Sequence, residues 1–147
     1  MLSYESVIDK LKEKSLDQKH LTFYKQLNEL IHLFEQLRER EIAIDKLGEP
    51  IVRLNLFLEK ETLRYTQLRT VRTNIYDVLR KEFGVLPPGH YQSQWGLLGM
   101  IVFGLPLGIT LNNNVFFILG LPIGLAIGLA KDKKATSEGK MLKRLSR

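Results

Sequence analysis

The chain has 147 residues, no cysteine and a net charge of +6 from 22 Lys/Arg and 16 Asp/Glu. Its length bounds it to one or two small domains. The missing cysteine excludes disulfides, thiolate nucleophiles and cysteine-ligated metals.

The charge is unevenly placed. Residues 1–94 hold 15 Lys/Arg and 14 Asp/Glu, residues 95–130 hold no ionisable side chain, and residues 131–147 hold 7 Lys/Arg and 2 Asp/Glu. The front of the chain is therefore nearly neutral, and the basic excess sits in the tail. That distribution suits membrane topology and lipid contact, and no nucleic acid is expected. The N-terminus carries acids and lysines where a cleavable leader needs an apolar run, so targeting is expected to fall to the first apolar segment.

Residues 3–16 predict a short amphipathic helix from the spacing of Tyr4, Val7, Ile8 and Leu11, with Ser3 and Ser6 as candidate caps. Residues 18–46 predict a long helix in which Phe23, Leu27, Leu30, Phe34, Leu37 and Ile44 keep heptad spacing, interrupted at Glu41. Leu21, Tyr24, Ile31 and Leu33 widen its apolar stripe. Gly48, Glu49 and Pro50 form a break, with Pro50 suited to the first turn of the next helix. Residues 51–83 predict a second long helix, with Ile51, Leu54, Leu58, Tyr65, Leu68, Ile75 and Leu79 as its stripe. Glu61 and Arg72 interrupt that stripe. Either they and Glu41 specify register, or they are exposed ends of an imperfect stripe. The fold class expected is all-α: a cytoplasmic helical hairpin or coiled-coil domain over residues 1–83, followed by a two-helix transmembrane hairpin.

Gly84 ends the second helix, and residues 84–94, with Pro87-Pro88, read as a linker. Two apolar segments follow, 95–111 and 115–130, joined by Asn112-Asn113-Asn114. Each is shorter than the ~20 residues of a typical span, so flanking residues or a thin bilayer must make up the length, and a re-entrant or interface-lying hairpin is the alternative. The amides of the three asparagines exclude a single uninterrupted span. Basic residues follow the second segment, with none in the turn. Both termini are therefore expected in the cytoplasm, with a basic cytoplasmic tail over 131–147. Trp95 suits the headgroup layer, and Lys131 and Lys133 can snorkel to it, making these three the candidate anchoring residues.

Glycine supplies the sharpest pattern. Gly120, Gly124 and Gly128 recur every four residues, and Gly104 and Gly108 repeat the interval in the first segment, with Gly96 and Met100 ahead of them on the same face. Small residues at this spacing let helix backbones approach closely in lipid, so these five glycines are the candidate helix-packing residues. Gly104-Leu105-Pro106-Leu107-Gly108 also repeats as Gly120-Leu121-Pro122-Ile123-Gly124, placing a proline between phased glycines in each segment and predicting a bend there.

No catalytic, cofactor-binding or metal-ligating constellation is legible. His20, His32 and His90 are scattered, no acid pair has catalytic spacing, and no glycine-rich stretch ends in the Lys-Ser/Thr of a phosphate loop. The expectation is a protein without enzymatic activity and without cofactors.

The run Gly120-Leu121-Pro122-Ile123-Gly124-Leu125-Ala126-Ile127-Gly128, then Asp132-Lys133-Lys134-Ala135 and Glu138-Gly139-Lys140-Met141-Leu142, resembles a family of small bacterial two-span glycine-zipper membrane proteins. Its C-terminal motif is like Asp-x-x-Ala-x-x-Glu-Gly-Arg-x-Leu, and here Lys140 stands in place of the arginine. The resemblance covers about residues 96–142 and leaves the front domain outside. It implies a bacterial inner-membrane protein with cytoplasmic termini, and it carries over no activity or catalytic residue. For Asp132 and Glu138 the residues alone suggest pairing with nearby lysines or keeping the tail soluble.

Two functions fit these features. One is a self-associating, membrane-anchored scaffold or adaptor whose front domain engages a cytoplasmic protein partner. The other is an oligomeric channel or membrane-disrupting effector assembled by that domain. The lipid bilayer is the common partner, and a homo-oligomer is expected from the heptad stripes and the glycine faces together.

Overall fold

The computed structural model describes residues 3–16, 21–60, 63–113 and 115–144. Among the described residues the regular structure is all helical apart from one isolated bridge, and the chain divides into two compact units, one built on the residues up to Val85 and the other on Leu86–Lys143. His20, Glu61, Asn114, Arg147 and the expected start of the second helix at residue 18 lie outside the described residues.

In the first unit, α1 (Tyr4–Leu16) starts where the Ser3 hydroxyl accepts the Ser6 N–H at 3.2 Å, and it buries Val7, Ile8 and Leu11. Helix α2 (Leu21–Glu39) buries Phe23, Leu27, Leu30, Ile31, Leu33, Phe34 and Leu37, so the stripe is widened by Ile31 and Leu33, while Leu21 and Tyr24, expected to widen it too, are exposed near its start. A 3₁₀ turn (Ile44–Leu47) leads to Gly48, whose φ of 58° and ψ of −136° suit only glycine. Helix α3 (Glu49–Leu58), with Pro50 in its first turn, and α4 (Tyr65–Phe83), closed by left-handed Gly84, complete the unit. Helix α1 packs on α2 and α3, and α4 packs on the same two, so each helix shares the core with two others. The buried side chains Leu11, Leu27, Phe34, Leu54, Leu68 and Ile75 meet there, each contributing about 2 kcal/mol of burial.

This differs from two long heptad helices in two places. The first is the stop at Glu39, where residues 18–46 were expected to run on. Ile42 N–H returns to Leu37 O and Glu41 N–H to Arg38 O, the paired bonds of a Schellman ending. Glu41 holds the left-handed position at φ 56°, so the residue that interrupted the heptads ends the helix. The second is the expected helix 51–83, which is two helices. Its chain leaves α-helix after Leu58 and re-enters at Tyr65, where Gln67 Oε1 accepts the Arg64 N–H at 3.0 Å. The break lets α3 and α4 fold against each other, which one straight helix would forbid.

Polar contacts fix the register. Arg72 of α4 pairs with Glu29 of α2, both side chains half-buried. Tyr4 Oη donates to Ile42 O at 2.6 Å, and Lys10 Nζ donates to Asn55 Oδ1 at 2.8 Å.

In the second unit, α5 (His90–Gly99), a π-helical segment (Met100–Gly104) and α6 (Leu105–Thr110) form one helix of 21 residues, and α7 (Val115–Ser137) has 23. At 1.5 Å per residue these are about 32 and 34 Å long, against a hydrocarbon core of about 30 Å. Both are longer than the sequence segments 95–111 and 115–130. The first begins inside the expected linker, at His90, and the second continues through the lysines of the expected tail.

Candidate functional site

The asparagine turn is built from two helix ends. Asn112 takes φ 47°, with its N–H on Ile109 O and the Asn113 N–H on Gly108 O, a second Schellman ending. Asn113 Oδ1 then accepts the Val115 N–H at 3.0 Å and starts α7. Each residue satisfies backbone groups that an apolar medium would leave bare.

Between the two helices the backbones touch. A Cβ on Gly124 would overlap Trp95 O and lie 2.8 Å from Gly99 Cα; one on Gly120 would overlap Gly99 O and lie 2.9 Å from Gly104 Cα; one on Gly128 would lie 2.6 Å from Gln92 Cα. Gly104 in turn faces the backbone of Phe117. Gly104, Gly120, Gly124 and Gly128 are thus brought together in antiparallel order. Gly108 is not part of the tight contact: a Cβ there would meet its first neighbour at 3.6 Å, ordinary van der Waals distance.

Gly99 occupies the place that sequence spacing gave to Met100. A Cβ on Gly99 would overlap Gly120 O and lie 2.6 Å from Gly124 Cα, whereas one on Gly96 meets only the side chains of Leu125 and Leu121. The reason is the π segment. Leu105 N–H bonds to Met100 O, five residues back, so one extra residue is taken up in that turn. Gly99 and Gly104, five apart in sequence, then share a face. The segment lies just ahead of Pro106, which has no N–H for the helix and whose ring would crowd the carbonyl four residues earlier. The matching Pro122 sits inside uninterrupted α7, so the two copies of the repeat are not structurally equivalent.

The other end of the hairpin is closed by three contacts. The N-terminus of α5 is preceded by Gly89, at φ 73°, which has no side chain to cap it. Asp132 of α7 supplies the cap: its Oδ1 accepts the Tyr91 N–H at 2.9 Å and its Oδ2 the Gln92 N–H at 3.1 Å. Its carboxylate is buried and engaged with backbone. Lys131 Nζ lies 4.8 Å from the centre of the Trp95 ring and 5.8 Å from that of Tyr91. Beyond Gly139, which turns the chain at φ 70°, Leu86 N–H bonds to Lys140 O at 2.8 Å and Leu142 N–H to Leu86 O at 2.9 Å. Glu138 accepts from Lys140 at 2.9 Å; this hydrogen bond holds the Glu138 carboxyl below its usual range and raises the Lys140 ammonium. Lys133 is exposed. Neither the Asp132 cap nor the Leu86 bridge has a local sequence signal, because both join residues about forty or more positions apart.

Away from the glycine seam the helices present bulk apolar side chains outward. Leu97 is 60% exposed, Ile109 72%, Val115 67% and Ile118 63%. A core helix of a soluble protein would bury such residues; these two helices are long and apolar enough to cross a membrane, and they turn their apolar sides out. Among the described residues, no three His, Asp or Glu side chains gather to hold a metal ion. Comparison with protein-family models, curated proteins and solved structures returned no match.

Proposed function

We propose that the C-terminal hairpin spans a lipid bilayer as a two-helix anchor and that the helical unit before it is a scaffold or adaptor for a cytoplasmic protein partner. The observation that carries this reading is the pair of 21- and 23-residue helices packed through bare backbone with aliphatic side chains facing outward. In lipid, Asn112 and Asn113 satisfy backbone groups at the two helix ends of the turn, and Asp132 satisfies two N–H groups at the start of α5, so these ends do not depend on water. The charge distribution supports cytoplasmic termini: all the charged side chains of residues 86–143 follow Ala130, at the end opposite the asparagine turn. The resemblance of residues 96–142 to bacterial glycine-zipper proteins supports the inner membrane. Self-association is not part of this reading, since the glycine faces are used within one hairpin. The channel alternative gains no observation, because a ring of these hairpins would enclose aliphatic side chains and no polar lane.

Single cysteines test the anchor without background, as the chain has none of its own. Asn113→Cys is expected to react with a membrane-impermeant thiol reagent on intact cells, and Ser137→Cys only after permeabilisation. The reverse pattern, or equal labelling of both sites, overturns the topology.

A further inference from the structure

The charged end of the hairpin has its acids already engaged. After Ala130 come Lys131, Asp132, Lys133 and Lys134, then Glu138, Lys140 and Lys143. Asp132 is buried under the first turn of α5 and offers its oxygens to two backbone N–H groups. Glu138 is paired with Lys140. Lys131, Lys133 and Lys134 outnumber the one carboxylate among them, Asp132, and leave a local surplus of positive charge. It sits where the charge-free stretch of α7 ends at Ala130, the place at which a spanning helix meets lipid phosphates. Lys131 is held beside the Trp95 and Tyr91 rings, which fixes a flexible side chain before any ligand arrives. Lys134 follows at i+3, where helix residues are neighbours on the surface.

We propose that this end of the hairpin is a seat for an anionic glycerophospholipid, with its phosphate against Lys131 and Lys134 and its glycerol and upper acyl chain against Trp95 and Tyr91. The inference rests on the membrane-anchor reading and adds a lipid class to it. Charge complementarity selects the occupant: juxtamembrane lysines attract anionic headgroups, whereas a zwitterionic headgroup offers the same phosphate with a cation beside it. The two rings supply an apolar body with a polar edge, the chemistry of the headgroup boundary.

Trp95 is the single tryptophan of the chain, so its fluorescence reports this seat directly. The full chain is reconstituted in phosphatidylcholine bilayers containing a minor fraction of brominated phosphatidylglycerol or, separately, the same fraction of brominated phosphatidylcholine. The expected result is stronger quenching by the anionic lipid, corresponding to a relative affinity of about fivefold at low salt. That preference is expected to collapse toward one as NaCl is raised to ~0.5 M, and toward one in Lys131→Gln/Lys134→Gln. The salt titration uses the unaltered protein, so it tests the seat even if the double variant misfolds. Equal quenching by the two lipids at low salt overturns the seat and leaves the anchor standing. Quenching by neither places Trp95 outside the bilayer and removes both.

Discussion

Asp132 and Tyr91 stand 41 positions apart, yet the carboxylate of the first accepts the backbone N–H of the second at 2.9 Å. A helix N-terminus normally takes its cap from the residue just before it. Here that residue is Gly89, and the neighbouring helix provides the oxygen instead. The cap therefore joins the beginning of one apolar helix to the end of the other. Asp132→Ala is expected to lower hairpin stability by about 2 kcal/mol, combining a lost cap with a lost charge at the helix N-terminus, and Asp132→Asn by less, since one amide oxygen can still accept. Hydrogen exchange at the Tyr91 and Gln92 amides in mild detergent should accelerate first. Unchanged protection of those two amides in Asp132→Ala would sink the assignment.

The π segment makes a prediction that spacing by fours does not. On four-residue spacing Gly96 belongs to the packed row and Gly99 does not; in the structure the tight backbone contact is at Gly99. Gly99→Ala, Gly120→Ala and Gly124→Ala should each weaken the hairpin by at least ~1–2 kcal/mol, the scale of membrane helix contacts. Gly96→Ala, which meets only the movable end of Leu125, and Gly108→Ala should be nearly neutral. Thermal melts followed by circular dichroism in one detergent would rank them. A ranking with Gly96→Ala more damaging than Gly99→Ala would restore the regular register. Even the methyl of Gly124→Ala is excluded by backbone on the facing helix, so alanine there is not a gentle substitution.

How much of this was legible follows a physical line. The charge-free stretch, the four-residue glycine interval of α7 and the break at Gly48 are local signals, and the structure places helices, close backbone contact and a chain turn there. The stop at Glu39 carries no glycine, asparagine or proline; its one local cue is Glu41, which interrupts the heptads and takes the left-handed position. The gap between Leu58 and Tyr65 preserves the apolar spacing on both sides, and a break that keeps phase is invisible to periodicity. The Gly99 contact needed the π turn, whose one sequence cue is Pro106. The Asp132 cap and the Leu86–Met141 bridge are tertiary and have no local cue.

Glu41 offers a stabilising substitution. It is a β-carbon residue in the left-handed region, at φ 56°, at the position of a Schellman ending where glycine is usual. Relief of that conformation in Glu41→Gly is expected to stabilise the first unit by about 1 kcal/mol, after the larger unfolded-state entropy of glycine is allowed for. The urea midpoint of the full chain in detergent, read by helix signal, checks it. A lower midpoint would mean that the glutamate side chain contributes more than its backbone strain removes.

Tyr4 predicts an alkaline limb. Burial, and then the charge of Asp45, push its hydroxyl up to about 12 from 10.0. Below pH ~10 the group is protonated in both folded and unfolded chains, and its contribution is intact. As the pH rises toward 12 the unfolded chain ionises first, so stability falls. Tyr4→Phe removes the hydrogen bond to Ile42 O and should cost about 1 kcal/mol at neutral pH. The gap between the two proteins should then close as pH approaches 12. A gap constant from pH 8 to 12 would show that Tyr4 titrates normally. Comparing the pair cancels the other tyrosines, including Tyr76, whose hydroxyl burial also raises.

The last prediction concerns copy number. The sequence expectation of a homo-oligomer rests on two features, the heptad stripes of the front helices and the phased glycines. Each has a partner within a single chain. Phe34, Leu37, Leu54, Leu68, Ile75 and Leu79 are buried among α1 to α4, and the glycines face one another across the hairpin. The apolar helices turn outward large side chains such as Leu97, Ile101, Val102, Ile109, Val115 and Ile118. These large side chains keep backbones apart, and in lipid there is no hydrophobic gain in bringing them together, because acyl chains solvate them equally well. Among its described residues the front unit exposes Leu16 and Leu21, at the ends of α1 and α2 that face each other in sequence, and Val52 and Leu56 on α3. The full chain is therefore expected to be a monomer in nanodiscs, with the mass of one copy across a tenfold range of protein-to-lipid ratio. A fixed multiple that persists on dilution would show that the outward aliphatic faces do associate, and a ring of five or more would reopen the channel reading.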